Sequence, residues 1–455
     1  MITRRTLLGS SLLGAGGLAG SLTGGLMGSL SSPTTAAATD YKALVVLFLN
    51  GGSDGHNMLV PTDAAYTDYQ RARGNLALTR QSLANLAGTA AGHTFGLHAS
   101  LAPLVPLYTG RRLAFVSNVG PSVEPATAAQ VLDNAVDLPP FLMSHSDQTT
   151  IAQGWTFNDD VSGWAGRALE QLPSSLRHPT AAVTLANDRT LVQGRRSAVS
   201  FLSPDGSRWW GTADLANPQS EAVQALQRMS NWQFGNTYEA EYARSFGSAL
   251  ADSTRFTKAL LSAPAPSQDF GSDWVGQRLR QIATLLPVFK SDGLRRQVFL
   301  LPWGSFDTHA GQRGSGPNTQ DAQFVHLAKA LVAFDGAMQS AGMQGDVTLL
   351  VMSEFGRTLR PGSGGGSEHA WGNHWALLGG AVNGGTVHGR FPTLALGGPD
   401  DCDPGRNGRL APDIASDQVG SALMQWMGLP ASQVLDAFPL LARFPQTTLP
   451  GLIKA

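Results

Sequence analysis

Three unbroken apolar runs, each stopped by an acidic residue with histidine close by, limit what this chain can fold into. Ala43–Asn50 (ALVVLFLN) runs into Gly51-Gly52-Ser53-Asp54-Gly55-His56-Asn57. Val298–Pro302 runs into Trp303-Gly304-Ser305-Phe306-Asp307-Thr308-His309. Val347–Met352 runs into Ser353-Glu354-Phe355-Gly356-Arg357-Thr358, with Glu368-His369 and His374 just beyond. Continuous apolar runs, as opposed to alternating ones, read as strands buried on both faces, the mark of a mostly parallel sheet covered by helices. In open sheets of this kind ligand sites gather at the carboxyl ends of the strands. Carboxylates and imidazoles converging there are what a divalent metal ion requires.

The rest of the chain supports an α/β fold with a mostly parallel central sheet flanked by helices. Arg112–Asn118 and Ala181–Leu185 read as further strands, and Leu97–Tyr108 as a crossover helix. Ser144–Gln153, Gln320–Ala341 and Ile414–Met427 read as helices, and Gly379–Gly397 as a hairpin-like excursion. From about 207 to 290 the apolar spacing turns helical, over Ser220–Trp232, Tyr238–Leu261 and Trp274–Leu286, which predicts a helical insertion or flank. Trp209, Trp210 and Trp232 in that segment are expected to be packing anchors. No repeat and no linker divides residues 39–455, so a single domain is expected.

Charged residues make up 14% and hydrophobic ones 42%, the balance of a compact globule beyond the first forty residues. A net charge of −1 without a basic stripe excludes a nucleic-acid-binding surface. The single cysteine, Cys402, excludes an internal disulfide framework. Residues 1–38 read as an export signal: Thr3-Arg4-Arg5-Thr6-Leu7-Leu8 resembles the twin-arginine motif. A weakly hydrophobic Gly/Ser/Leu stretch and the small residues Ala36-Ala37-Ala38 follow it. Leu7–Leu30 is long enough to span a membrane, but its glycines and serines argue against a stable anchor. The expected destination is periplasmic or secreted, with the twin-arginine export machinery as partner.

Asp54 follows the first strand on a Gly-Gly turn, where it can ligate a metal or cap the next turn. Asp307 and His309, two apart, project to the same side of an extended segment and can meet one ion; the alternative is a hydrogen-bonded acid–histidine pair. Glu354 ends the third strand. Arg357 beyond it can clamp a phosphate or sulfate oxygen, or pair with Glu354. His369 and His374 sit in a glycine-rich loop, and one of them is expected to ligate. Ser144 opens a helix, where it can serve as a nucleophile or as an N-cap. A Ser-His-Asp hydrolase lacks its Gly-x-Ser-x-Gly elbow here.

Together these segments resemble the bacterial family called domain of unknown function 1501. The resemblance covers Asn50–Asn57 with Val60-Pro61, Ser144-His145 with Gln153, and Ser162–Arg167. It continues through Phe306–His309 with Gln312, Ser353–Thr358 and Glu368–His374 to Gly379–Val382. That family is similar to the alkaline phosphatase and sulfatase superfamily. The similarity implies one metal on Asp307, His309 and His369, a second on Asp54 and Glu354, and Ser144 as nucleophile. The chain departs from the superfamily pattern in three places. Asp307 and His309 are two apart where four is usual, Glu368 replaces an aspartate, and Phe355 stands where a ligand is expected. The second site is then weak, completed by another residue such as His56, or absent.

The expected function is an exported hydrolase of small anionic phosphate or sulfate esters, using a divalent ion (Zn, Ca, Mg or Mn), one or two in number. The metal would activate Ser144 or a water, with Arg357 steadying the anion. The alternative is a non-catalytic exported binding or assembly protein on the same scaffold.

Overall fold

The computed structural model describes residues 40–156, 160–204 and 206–454, so the expected export signal lies outside the described residues. All described residues fall in one contact unit. The central sheet has nine strands, numbered in chain order: β1 (Lys42–Leu49), β2 (Leu113–Gly120), β3 (Ala182–Thr184), β4 (Ser200–Phe201), β5 (Arg296–Trp303), β6 (Val347–Met352), β7 (Asn373–Gly379), β8 (Val387–His388) and β9 (Ile414–Ala415). Their spatial order is β8-β2-β7-β6-β1-β5-β3-β4, with β9 also pairing β2. Every neighbouring pair is parallel except the two that β7 makes, with β6 and with β2.

The apolar runs are continuous because each strand serves two cores. β1 sends Ala43, Val45, Leu47 and Leu49 into one cluster and Leu44, Val46 and Phe48 into the other. β5 splits likewise, Phe299 and Leu301 against Val298 and Leu300, as does β6, Leu349 and Val351 against Leu350 and Met352. Each fully buried aliphatic side chain contributes about 1.5–3 kcal/mol, so a polar residue anywhere in these runs would be strongly destabilising. One core is closed by Trp274–Ser291 and Gln320–Ser340, the other by Trp164–Gln171 and Ser416–Trp426. β1 lies between β5 and β6 in parallel register, Leu49 opposite Trp303 and Phe48 opposite Met352. The three strand-end loops therefore leave the sheet side by side on one edge.

Several expectations are revised. Leu97–Tyr108 is a 3₁₀ turn (Ala99–Leu104) followed by a short helix (Val105–Thr109), because Pro103 and Pro106 cannot donate to a continuous helical ladder. His374, expected in a loop, lies in the buried strand Asn373–Gly379. In Gly379–Gly397 only Val387–His388 is a strand, and it joins β2 in parallel rather than folding into a hairpin. The helical segment divides: Glu221–Ser230 and the first half of Thr237–Ser262 pack a small cluster of their own around Val223 and Leu250, whereas Phe256 and Ala259 further along that helix join Trp274–Ser291 in the main core. Trp210 packs against that small cluster, but Trp209 and Trp232 are exposed, because the excursion has too little apolar volume to cover them. No described helix is long and apolar enough to cross a membrane.

Candidate metal centre

The loop after β1 can lie against its neighbours only because its first two residues lack side chains. Gly51 (φ +108°) passes so close to the backbone of Asp307 that a Cβ would sit 2.5 Å from the Asp307 nitrogen. Gly52 (φ +70°) abuts the Phe355 ring, and both glycines adopt the left-handed backbone that other residues resist. The Phe306 amide donates to the Asn50 carbonyl at 2.9 Å, and the Gly51 amide to Glu354 Oε1 at 2.7 Å. Beyond β6, Arg357–Pro361 doubles back as an antiparallel ribbon with Ser367–His369, placing His369 opposite Arg357. A fourth segment, the helix His145–Ala152, brings its first residue to the same point.

His145, Asp307 and His369 each offer a ligand atom within 4.8 Å of the others'. Asp307 Oδ1 lies 3.0 Å from His369 Nε2 and 2.9 Å from His309 Nε2, and Oδ2 lies 3.4 Å from His145 Nε2. The His309 and His369 Nε2 atoms are themselves 2.9 Å apart. Each imidazole is held from behind through Nδ1: His145 by Glu354 Oε1 at 2.9 Å, His369 by the Met143 carbonyl at 2.7 Å, and His309 by Glu368 Oε2 at 2.7 Å. Carbonyls and carboxylates only accept, so each Nδ1 carries the proton. In a neutral ring Nε2 is then a lone pair.

With the rings neutral and Nδ1 the donor, the Nε2 atoms of the three imidazoles are left to face the Asp307 carboxylate, and His145 Nε2 is buried without a hydrogen bond. Such a constellation can hold a cation. Ligating histidines fixed through the far nitrogen by a carboxylate or carbonyl are the usual outer shell of a metal site. Phe355 packs against the His145 and His369 rings, at 4.9 and 4.8 Å between centroids, and so holds their planes.

The electrostatics favour ligation by Asp307 and His369, while at His145 a proton competes with a metal. Burial opposes ionisation of Asp307, yet the hydrogen bond and charge of Arg357 outweigh it and keep the carboxyl well below its ordinary range. The Glu354 hydrogen bond raises the pKa of His145 against burial. Burial lowers that of His369, despite Met143 and Asp307, which keeps it neutral and able to ligate.

Of the residues expected from sequence, Asp307, His309 and His369 come together. Asp54 does not join them. Buried, it caps the turn that follows, Oδ1 accepting from the His56 and Asn57 amides at 3.0 and 3.3 Å, while Oδ2 pairs with Arg73 and accepts from Gln312 Nε2 at 2.6 Å. With all its acceptor positions engaged, the cap reading holds for Asp54. Glu354 stands behind His145 as its hydrogen-bond partner. Arg357 is buried, donating to the carbonyls of Gly51, Gly52, Phe306 and Ser367 and to Asp307, so it braces the loops and faces no anion. Ser144 Oγ donates to Asp147 Oδ2 at 2.5 Å and makes no hydrogen bond to the cluster. His374 is buried behind the site with its ring 5.1 Å from that of His56.

Sequence reasoning gave no ligand role to His145 and no orienting role to Glu368. The adjacency of His145 to Ser144 was the one available signal.

The family model described as protein of unknown function (DUF1501) matches residues 41–401. No curated protein matches the chain. Among solved structures, a protein of the alkaline phosphatase superfamily from Vibrio parahaemolyticus is similar at 10% identity and TM-score 0.35, over 87% of this chain and 69% of that one. The lipoteichoic acid synthase LtaP from Listeria monocytogenes is similar at 7% and 0.31, over 88% and 75%. The phosphonate monoester hydrolase SpPMH from Silicibacter pomeroyi is similar at 10% and 0.32, over 86% and 73%.

Proposed function

The chain belongs to the DUF1501 family, and from the chemistry of its site we propose an exported, metal-dependent hydrolase of phosphate or sulfate esters. One observation carries the metal: three imidazoles, each protonated and held at Nδ1, turn their Nε2 atoms onto Asp307. His145, Asp307 and His369 would hold the ion, with His309 as fourth ligand. When bound, a divalent ion supplies Lewis acidity toward an ester oxygen and lowers the pKa of water. The ester class is supported by the ordered motifs that resemble the phosphatase and sulfatase superfamily, and export by the Arg4-Arg5 signal.

The protein's own groups do the positioning. Arg357 fixes Asp307, Glu354 fixes His145, and Glu368 fixes His309. Asp54 is engaged by Arg73 and Glu354 by His145 and Gly51, so these residues leave no carboxylate for a second ion. No serine or threonine hydroxyl among the described residues hydrogen-bonds to Asp307 or the three imidazoles, which makes water the favoured nucleophile over Ser144.

Metal analysis of the purified protein, followed by a panel of aryl phosphates, phosphodiesters and sulfates, tests the reading. One equivalent of a transition metal and turnover of at least one ester are expected, and Asp307→Ala should lose both while keeping its circular dichroism. Bound metal without turnover across the panel would move the protein to the binding or assembly reading.

A further inference from the structure

Beside the cluster opens a cavity of about 510 Å³, lined by Asn50, Ser146, Thr149, Asp188 and Ser305 together with His145, Asp307 and Glu354. Among the described residues no lysine or arginine lines it. Arg357 is turned away, its Nε donating to Gly52 O at 2.7 Å, its Nη1 to Ser367 O at 2.9 Å, and its Nη2 to three further oxygens. Arg409 reaches the His369 carbonyl at 3.0 Å but is paired with Asp403 at 3.3 Å and does not line the cavity. Asp188 is held in the wall by Gln153 Nε2 at 2.6 Å and the Thr190 amide at 3.2 Å.

Three carboxylates, Asp188, Asp307 and Glu354, therefore line the space that a substrate would enter, and among the described lining residues a bound ion would be the only strong positive charge beside them. Two negative charges on a substrate would each meet this field at short range, well inside the distance over which salt screens charge repulsion. The remaining lining groups, from Asn50, Ser146, Thr149 and Ser305, are neutral hydrogen-bonding partners suited to an esterified polar substituent.

We infer that this pocket selects singly charged tetrahedral esters, phosphodiesters or sulfate monoesters, over doubly charged phosphate monoesters; the inference rests on the hydrolase reading above. The source of the single charge, diester or sulfate, is separated by assaying both.

The test uses the metal-loaded full chain at roughly pH 9, above the second phosphate pKa of about 6 and above the higher second pKa of an alkylphosphonate. kcat/KM is measured for bis(4-nitrophenyl) phosphate, 4-nitrophenyl sulfate and 4-nitrophenyl phosphate. Calorimetry compares binding of methyl methylphosphonate, singly charged, with that of methylphosphonate, doubly charged. At least about tenfold preference for the singly charged member is expected in both readouts, and Thr149→Lys or Asp188→Asn should shrink it severalfold. Equal or better use of the doubly charged member would overturn the inference while leaving the hydrolase reading intact. Selective binding of the singly charged phosphonate without turnover of any ester would remove the hydrolase reading and keep the charge selection. No difference in binding between the two phosphonates would remove the charge selection.

Discussion

Asp307 Oδ1 is met by the Arg357 guanidinium and by the Nε2 atoms of His309 and His369 at once, a crowding that a bound cation would relieve. Glu354 acts one step back, through His145. Glu354→Gln should keep the fold and lower metal affinity about 10–100-fold, the usual cost of removing an outer-shell partner, as read by competition with a chelating dye. His56 is a separate case. It is fully buried with both ring nitrogens unpaired, and burial, aided by the nearby Arg73 charge, lowers its pKa to about 3. The folded state then binds its proton less readily than the unfolded state, whose histidine titrates near 6.5. Stability from this group is complete above about pH 6.5 and is lost as pH falls toward 3. Urea titrations should show a loss on the order of 4 kcal/mol across that window, absent in His56→Leu. Asp307, His309 and His369 were legible because a spacing of two and a strand end are local facts. The engagement of Asp54 by Arg73 was not: that guanidinium arrives from 19 residues away, and nothing in the sequence marks the pairing.

Among the elements, the apolar runs were read almost to the residue, since β6 occupies Val347–Met352 as expected and β1 and β5 differ only at their ends. β7 escaped because its residues follow a glycine-rich stretch, and its burial depends on neighbours far away in sequence. The helix Ser416–Trp426 carries a buried acid in its first turn, Asp417, whose pKa burial raises to about 6 against the opposing charge of Arg167. Below about pH 4 both states hold the proton. Between 4 and 6 the folded state retains a proton that the unfolded state releases, so stability falls as pH rises and the full penalty stands above 6. Asp417→Asn should therefore stabilise the protein by about 1–3 kcal/mol at neutral pH, with the gain vanishing near pH 4 in thermal melts.

For the whole molecule, the α/β architecture followed from runs that must be buried on both faces, while the site depended on bringing positions 145, 307, 309 and 369 together, which no local pattern encodes. These four ligands are not anchored alike. Asp307, His309 and His369 come from loops and a ribbon tied to the sheet edge, but His145 rides on an eight-residue helix. A metal held there would thus have one hinge-side ligand and three wall-side ligands. Its lability should follow the breathing of that short helix: a chelator should strip the ion at the rate at which the amides of His145–Ala152 exchange with deuterium, far faster than the core strands. Residence time at the centre would then be a property of one two-turn helix, set independently of how stable the sheet is.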